Sequence, residues 1–69
     1  MNWEQRLQPG QPPLRPGEFA NLTGWSYSTI RKLIDAGAIE SVPLIVGGER
    51  RVPVKHAREV AVRLQIVAG

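Results

Sequence analysis

The sequence predicts a mainly α-helical fold that carries one small β-hairpin. Apolar residues recur at helical spacing from Tyr27 to about Ala36 and again after Pro53. A β-branched stretch between them ends at the pair Gly47-Gly48, which is typical of a hairpin tip. The 69 residues suffice for one domain at most, and a chain this short buries only about 60% of its unfolded surface. We therefore expect modest stability.

The composition excludes several functional classes and favours an acidic partner. The chain has no cysteine and a single histidine, so neither a disulfide framework nor a metal or cofactor site is expected. Its apolar runs are too short for a membrane span and it opens on no secretory leader, so we expect a cytoplasmic protein. The net charge of +3 and an isoelectric point of about 10.2 favour nucleic acid as the partner.

Residues 1–13 are predicted to form a flexible N-terminal arm ahead of a domain at residues 14–69. The segment holds prolines and a glycine among polar residues, a composition typical of loops. Trp3 and Leu7 stand four residues apart, which leaves a short helical turn docked on the domain as the alternative.

A short helix is predicted from Pro16 to Leu22, because proline suits the first helical position. Phe19 should point inward, whereas Arg15 is a poor N-cap. Gly24 follows in a turn, where glycine adopts a positive φ at little cost. Trp25 is expected to fill the corner between this helix and the next.

The next predicted helix has a cap, a stop and two distinct faces. Ser26 is a favourable N-cap, the helix runs from Tyr27 to about Ala36, and Gly37 is a standard terminating residue. Its apolar face comprises Ile30, Leu33 and Ile34. The opposite face, with Thr29 beside it, comprises Ser28, Arg31, Lys32 and Asp35. A small cationic face directly after a turn favours binding over a plain solvated surface.

Two strands are expected after this helix. The stretch from Ile39 to Val46 is predicted to be the first strand, in which Pro43 requires an edge position or a bulge. Gly47-Gly48 is predicted to be the tip, and Glu49 to Val52 the returning strand.

Pro53 is expected to begin a last helix that runs to about Ile66. The side chains expected to face the core recur at helical spacing: Val54, Ala57, Val60, Ala61 and Leu64. Those expected to be solvated are Lys55, His56, Arg58, Glu59 and Arg63.

Positive charge concentrates between Ser26 and Arg58. The six cations of this part are Arg31, Lys32, Arg50, Arg51, Lys55 and Arg58, against the three acids Asp35, Glu40 and Glu49. Arginine suits bidentate contacts to phosphate and guanine. A cationic helix beside a cationic hairpin suits a duplex groove and its flanking phosphates. As the alternative, Arg50 or Arg51 pairs with Glu49 or Glu18 and is occupied structurally.

The residues of this region also match a family pattern in their order and spacing. The matching residues are Leu22, Gly24, the run Ser26-Tyr27-Ser28-Thr29-Ile30, Leu33-Ile34, Gly37, and Gly47-Gly48 followed by Arg51-Val52-Pro53. From Leu14 to Pro53 the chain resembles the MerR-like winged helix-turn-helix of phage excisionases, also called recombination directionality factors. The predicted final helix continues the resemblance to the end of the sequence.

The resemblance implies a recognition helix, Ser26 to Lys32, in the major groove and a wing, Gly47 to Arg51, on the adjacent minor groove or backbone. It implies no enzymatic activity. Further implications are side-by-side copies on attachment-site DNA, bending of that DNA, and cooperation with a tyrosine or serine integrase in excision. The N-terminal arm and residues 65–69 are then the free surfaces for contacts with neighbouring copies and the integrase.

Three departures from the family pattern bear on this expectation. Arg15 stands where the family usually has a threonine or serine cap, and Arg50 stands where an aromatic residue is common. The first wing strand is also longer than usual, so it is expected to bulge at Pro43.

The expected function is double-stranded DNA binding and DNA architecture, with no catalytic, cofactor-binding or metal residue. The residues expected at the interface are Ser26, Tyr27, Ser28, Thr29, Arg31, Lys32, Gly48, Arg50, Arg51 and Lys55. Base contacts are expected from the helix residues, and backbone contacts from the wing arginines with Lys55 and Arg58. A small phage transcriptional regulator is one alternative. A protein-interaction adaptor that binds an acidic protein is an alternative of another class.

Overall fold

The computed structural model describes residues 2–43, 48 and 50–69, and over these residues the protein is a mostly helical small domain. The described elements are α1 (Trp3–Arg6), α2 (Pro16–Thr23), α3 (Tyr27–Asp35), β1 (Val42–Pro43), β2 (Arg50–Arg51) and α4 (Val54–Arg63). α2 packs against both α3 and α4. The predicted mainly α character is therefore confirmed. None of the described helices has the length and hydrophobicity of a membrane span.

The N-terminal segment was predicted to be a flexible arm. The structure instead has the alternative, a short helical turn that is docked on the domain. Asn2 caps α1 by accepting a hydrogen bond from the Glu4 amide at 3.0 Å. Leu7 is fully buried in the core, and Trp3 packs against the same cluster. The Arg6 guanidinium donates to both carboxylate oxygens of Glu18, at 2.7 and 2.8 Å. A buried leucine and this two-point ion pair hold the segment on the domain.

The two helices α2 and α3 and the turn between them follow their local sequence signals. No side chain caps α2 at Arg15, as its residue type predicted. Gly24 adopts a left-handed φ of 79°, and its amide donates to the Ala20 carbonyl at 2.8 Å. The Ser26 hydroxyl accepts a hydrogen bond from the Thr29 amide at 3.1 Å. α3 then ends before Gly37, whose φ is 78°. The predicted caps and stop are confirmed.

The core gathers apolar side chains from every helix except α1 and from the segments between them. The buried residues are Leu7, Leu14, Phe19, Ala20, Leu22, Ile30, Ile34, Ile39, Val52, Ala57, Ala61 and Val67. The expectation that Trp25 fills the helix corner is wrong, since Trp25 is 42% exposed. Its amide instead donates to the Thr23 hydroxyl at 3.2 Å. The interior is occupied by smaller residues of α2 and α3.

The two strands are shorter than predicted over the residues described. β1 and β2 are antiparallel, with Val42 opposite Arg51 and Pro43 opposite Arg50. Ile39 lies before the strand and is buried in the core, because its amide bonds back to the Leu33 carbonyl at 3.3 Å. The rest of the predicted hairpin, residues 44–47 and 49, lies outside the described residues.

A third segment joins the strand pair at β2. Leu14 and Val52 form an antiparallel bridge and exchange two hydrogen bonds of 2.8 Å. Both side chains are fully buried. This bridge fixes the residue that precedes α2 to the end of the strand pair.

α4 ends earlier than the predicted Ile66. The Leu64 amide closes the last turn onto the Val60 carbonyl at 2.9 Å, and Gln65 turns the chain with a positive φ of 59°. Leu64 is therefore 41% exposed rather than in the core, and Val67 returns to the core in its place. His56 is half-buried rather than solvated, and its ring stacks on Phe19 with centroids 6.4 Å apart.

Candidate nucleic-acid interface

The outer face of α3 presents most of the predicted contact residues. Ser26 to Thr29, Arg31 and Lys32 are all exposed. On the inner face, Ile30 is fully buried and Ile34 is 5% exposed, so the helix cannot rotate without exposing them. The exposed face is therefore held in one orientation by the core.

Side chains at the start of α3 form two local pairs. The hydroxyls of Ser26 and Thr29 are 2.8 Å apart, within the N-cap. The Arg31 guanidinium donates to the Tyr27 hydroxyl at 3.1 Å and lies 5.8 Å from the centre of the Tyr27 ring. Tyr27 is 46% exposed, so the two side chains form an ordered pair on the surface. Tyr27 thus limits the rotamers of Arg31, and Thr29 supports the helix start.

The strand arginines occupy different surroundings. Arg50 is exposed, and its Nε donates to the Ser41 hydroxyl at 2.7 Å across the strand pair. Arg51 is half-buried, and its Nε is a buried atom without a hydrogen-bond partner among the described residues. Gly48 is exposed. The predicted alternative in which Glu18 pairs with one of these arginines is wrong, because Glu18 binds Arg6.

The cations of α4 differ from one another. Lys55 is exposed, as predicted. Arg58 is half-buried and is held by Glu4, 3.5 Å away, and by the Ala68 carbonyl at 3.2 Å. The Ala68 amide in turn donates to Glu4 at 3.0 Å. Arg58 is thus part of a contact between the two ends of the described chain, while most residues of the N-terminal segment and of residues 65–69 are exposed.

The charge distribution distinguishes the α3 and strand surface from the rest of the molecule. The two ion pairs found among the described residues, Arg6 with Glu18 and Arg58 with Glu4, both involve the N-terminal segment. Of the residues expected to contact DNA, these pairs include one, Arg58, which was expected at the backbone and is bound to Glu4. The positive charge of the two strand arginines is therefore not neutralised by an acid in the described part of the chain.

Two features of the surface were not found from the sequence. Arg15 is exposed directly after the Leu14–Val52 bridge, which brings it beside Arg51. The pairing of Leu14 with Val52 is nonlocal, and only their apolar character signals it. A groove of about 710 Å³ also opens between the N-terminal loop and α4, and its lining includes Leu7, Pro9, Val54 and Val62.

The described residues contain no group of three or more histidine, cysteine, aspartate or glutamate side chains able to hold a metal ion. His56 lies against Phe19 rather than in a polar cleft.

No protein-family model, curated protein or solved structure matches this chain. The fold and the surface described above are therefore what bears on its function.

Proposed function

We propose that the protein binds double-stranded DNA sequence-specifically as a winged helix-turn-helix of the excisionase type. In this proposal α2, the Gly24 turn and α3 are the helix-turn-helix, and the strand pair is the base of the wing. The observation that carries it is the outer face of α3, polar and cationic, held by buried Ile30 and Ile34 and preceded by a tight turn.

The dimensions of α3 suit the major groove. A helix with its side chains is about 10–12 Å across, which fits a groove roughly 12 Å wide, and the nine residues of α3 extend for about 14 Å. Ser28, Arg31 and Lys32 lie on the exposed side, where they reach base edges once the helix is inserted. The contact from Tyr27 reduces the side-chain entropy that Arg31 loses on binding. These residues are assigned to base reading.

The strand cations and Lys55 are assigned to the DNA backbone. Arginine on a strand next to the recognition helix reaches phosphates on either side of the groove. With roughly four or five phosphate contacts, the logarithm of affinity should fall with the logarithm of salt concentration at a slope of about −4. Such contacts position the protein, and α3 supplies the discrimination.

The small size of the proposed interface supports the proposed biological role. One domain of this kind buries roughly 600–1,000 Å² on DNA, which is little for a stable complex. Several adjacent copies, together with an integrase, would supply the remaining contacts and offset the roughly 1–6 kcal/mol needed to bend a 20–30 bp site. This is the working mode of an excisionase, which directs an integrase toward excision of phage DNA.

Selection from a random duplex library, followed by fluorescence anisotropy on the enriched sequence, tests the proposal. We expect one enriched motif, a steep salt dependence, and loss of selectivity in Lys32→Ala but not in Arg63→Ala. Arg63 is an exposed cation at the end of α4 and serves as the control for charge loss. Absence of salt-dependent duplex binding would contradict the proposal and favour an adaptor that binds an acidic protein.

The excision role needs a separate measurement. Gel-shift titration on an attachment region should give several cooperative bands and a bent product, and excision by the cognate integrase should require the protein. A motif that overlaps a promoter, with one non-cooperative band and unchanged excision, would favour a transcriptional regulator instead.

A further inference from the structure

The bridge between Leu14 and Val52 places two arginines directly opposite each other. The bridged residues exchange both hydrogen bonds and are fully buried, so their side chains face the core. The next residues along the antiparallel pair, Arg15 and Arg51, therefore lie on the face away from the core, where Arg15 is exposed and Arg51 is half-buried. Arg15 has extended backbone angles, φ −71° and ψ 154°, which keep this geometry. The Cα atoms of such a non-hydrogen-bonded pair are about 4.5 Å apart.

This arrangement is unfavourable for the isolated protein. Like charges directly opposite each other on neighbouring strands repel. On its other side Arg51 faces Val42, which brings no negative charge. The acid nearest to Arg15 along the chain, Glu18, is bound to Arg6 through both its oxygens, and Glu49, the acid nearest to Arg51, lies outside the described residues. The described residues thus supply no counter-ion to this pair of arginines.

Arg15 is unfavourable for a second reason. It occupies the N-cap position of α2, where a serine or threonine would accept a hydrogen bond from the first turn, and it makes no such bond. The buried Nε of Arg51 also lacks a hydrogen-bond partner among the described residues. Arg51 Nε is thus a buried donor without an acceptor, and it belongs to a pair of cations without a counter-ion among the described residues. Unfavourable features of this kind are found mainly at functional sites.

We infer that Arg15 and Arg51 together bind one phosphate of the DNA backbone. Two arginines at opposed positions present several donors to a single anion, and phosphate accepts bidentate hydrogen bonds from arginine. The anion removes the repulsion between the two side chains and supplies the counter-charge that the described residues do not. This inference rests on the proposed DNA binding and adds Arg15, at the start of α2, to the contact surface.

Substitution of each arginine by glutamine, singly and together, tests the inference by fluorescence anisotropy on the selected duplex. Arg15→Gln should weaken binding about tenfold and make the salt slope shallower by about 1. Because both arginines share one phosphate, the double variant should lose less affinity than the product of the two single losses. Arg63→Gln removes the same charge from α4 and should change affinity less than about twofold, as expected for an exposed charge far from the contact.

Thermal unfolding of the free protein separates binding from folding. Removal of the repulsion should leave the melting temperature of Arg15→Gln equal to that of wild type or higher, while its DNA affinity falls. Arg15→Lys keeps the charge without the planar fork and should give an intermediate affinity. A salt slope for Arg15→Gln equal to that of Arg63→Gln, or strictly multiplicative losses, would overturn the shared phosphate.

Two further outcomes separate the possible failures. If the wild type binds the duplex and Arg15→Gln binds equally well, the inference fails while the proposed DNA binding stands. If the wild type shows no salt-dependent duplex binding, both fail. Stabilisation by inorganic phosphate at millimolar concentration, lost in Arg15→Gln without any effect on duplex affinity, would assign the pair to a free phosphate and contradict the DNA assignment.

Discussion

The arginines in two regions of this molecule differ in their ion-pair partners. Near the N-terminal segment, Arg6 and Arg58 are each held by a glutamate, Glu18 and Glu4. At the strand pair, neither Arg50 nor Arg51 is bound to an acid of the described chain. All of these residues are arginines, so residue type alone does not distinguish them. Their partners in the structure do. The arginines near the N-terminal segment hold parts of the fold together, and our proposal assigns the strand arginines, which bind no acid among the described residues, to an external anion.

The largest expected effect concerns the docking of the N-terminal segment on the core. Leu7→Ala should lower the free energy of unfolding by about 2–5 kcal/mol, because it leaves a cavity under a fully buried side chain. Urea unfolding followed by Trp fluorescence measures this. Leu64→Ala, at a leucine 41% exposed, is the matched control and should cost much less. Equal effects of the two variants would show that the N-terminal segment does not dock.

The next effect concerns DNA binding by α3. Arg31→Ala should cost about 1–3 kcal/mol of binding on the selected sequence and less on random duplex, because it removes a base-reading side chain. Arg58→Ala removes the same charge from α4 and should leave selectivity unchanged. An equal loss on both duplexes would reassign Arg31 from base reading to backbone anchoring. Anisotropy with both duplexes at one salt concentration distinguishes these results.

A smaller effect tests the start of α3. Ser26→Ala removes the hydroxyl that accepts the Thr29 amide and should lower the free energy of unfolding by about 1 kcal/mol. Ser28→Ala, at an exposed position of the same helix, should change stability by less than about 0.5 kcal/mol. Urea denaturation provides both values. A Ser28 variant as unstable as the Ser26 variant would argue against a specific cap.

The smallest expected effect concerns the ion pair between Glu4 and Arg58. Glu4→Gln removes the charge beside Arg58 but keeps an oxygen able to accept the Ala68 amide. Both side chains of this ion pair are partly exposed, so the loss of stability should be below about 1 kcal/mol. Thermal unfolding at low and high salt measures it, since the wild-type advantage should shrink with salt. A loss that is large and independent of salt would contradict the assignment of a solvated ion pair.

Features set by neighbouring residues were predictable from the sequence. Ser26, Gly24 and Gly37 act through hydrogen bonds and backbone angles within a few positions, and each lies where its residue type predicted. The polar and apolar faces of α3 followed from helical spacing for the same reason. The DNA-contact roles of these residues remain predictions.

Features set by distant residues were not predictable. The docking of Leu7 depends on a core that α4 completes, and Glu18 was bound by an arginine twelve positions away rather than by a strand arginine. Trp25 is excluded from a core already occupied by smaller side chains. The early end of α4 at Leu64 exposes that residue and brings Val67 inward. Each outcome depends on how distant segments compete for space in the core. A local sequence pattern does not predict that competition.

The contact between Glu4 and Ala68 has a consequence for the order of folding. It joins residues 64 positions apart, so its formation closes a loop of nearly the whole chain. The α2–α3 pair, in contrast, closes over a few residues around Gly24. Local contacts form first when topology sets the rate, so the α2–α3 hairpin should nucleate folding and the ends of the chain should join last. By the same reasoning the ends should open first, and the Ala68 amide should exchange with solvent deuterium long before the Ile30 amide does.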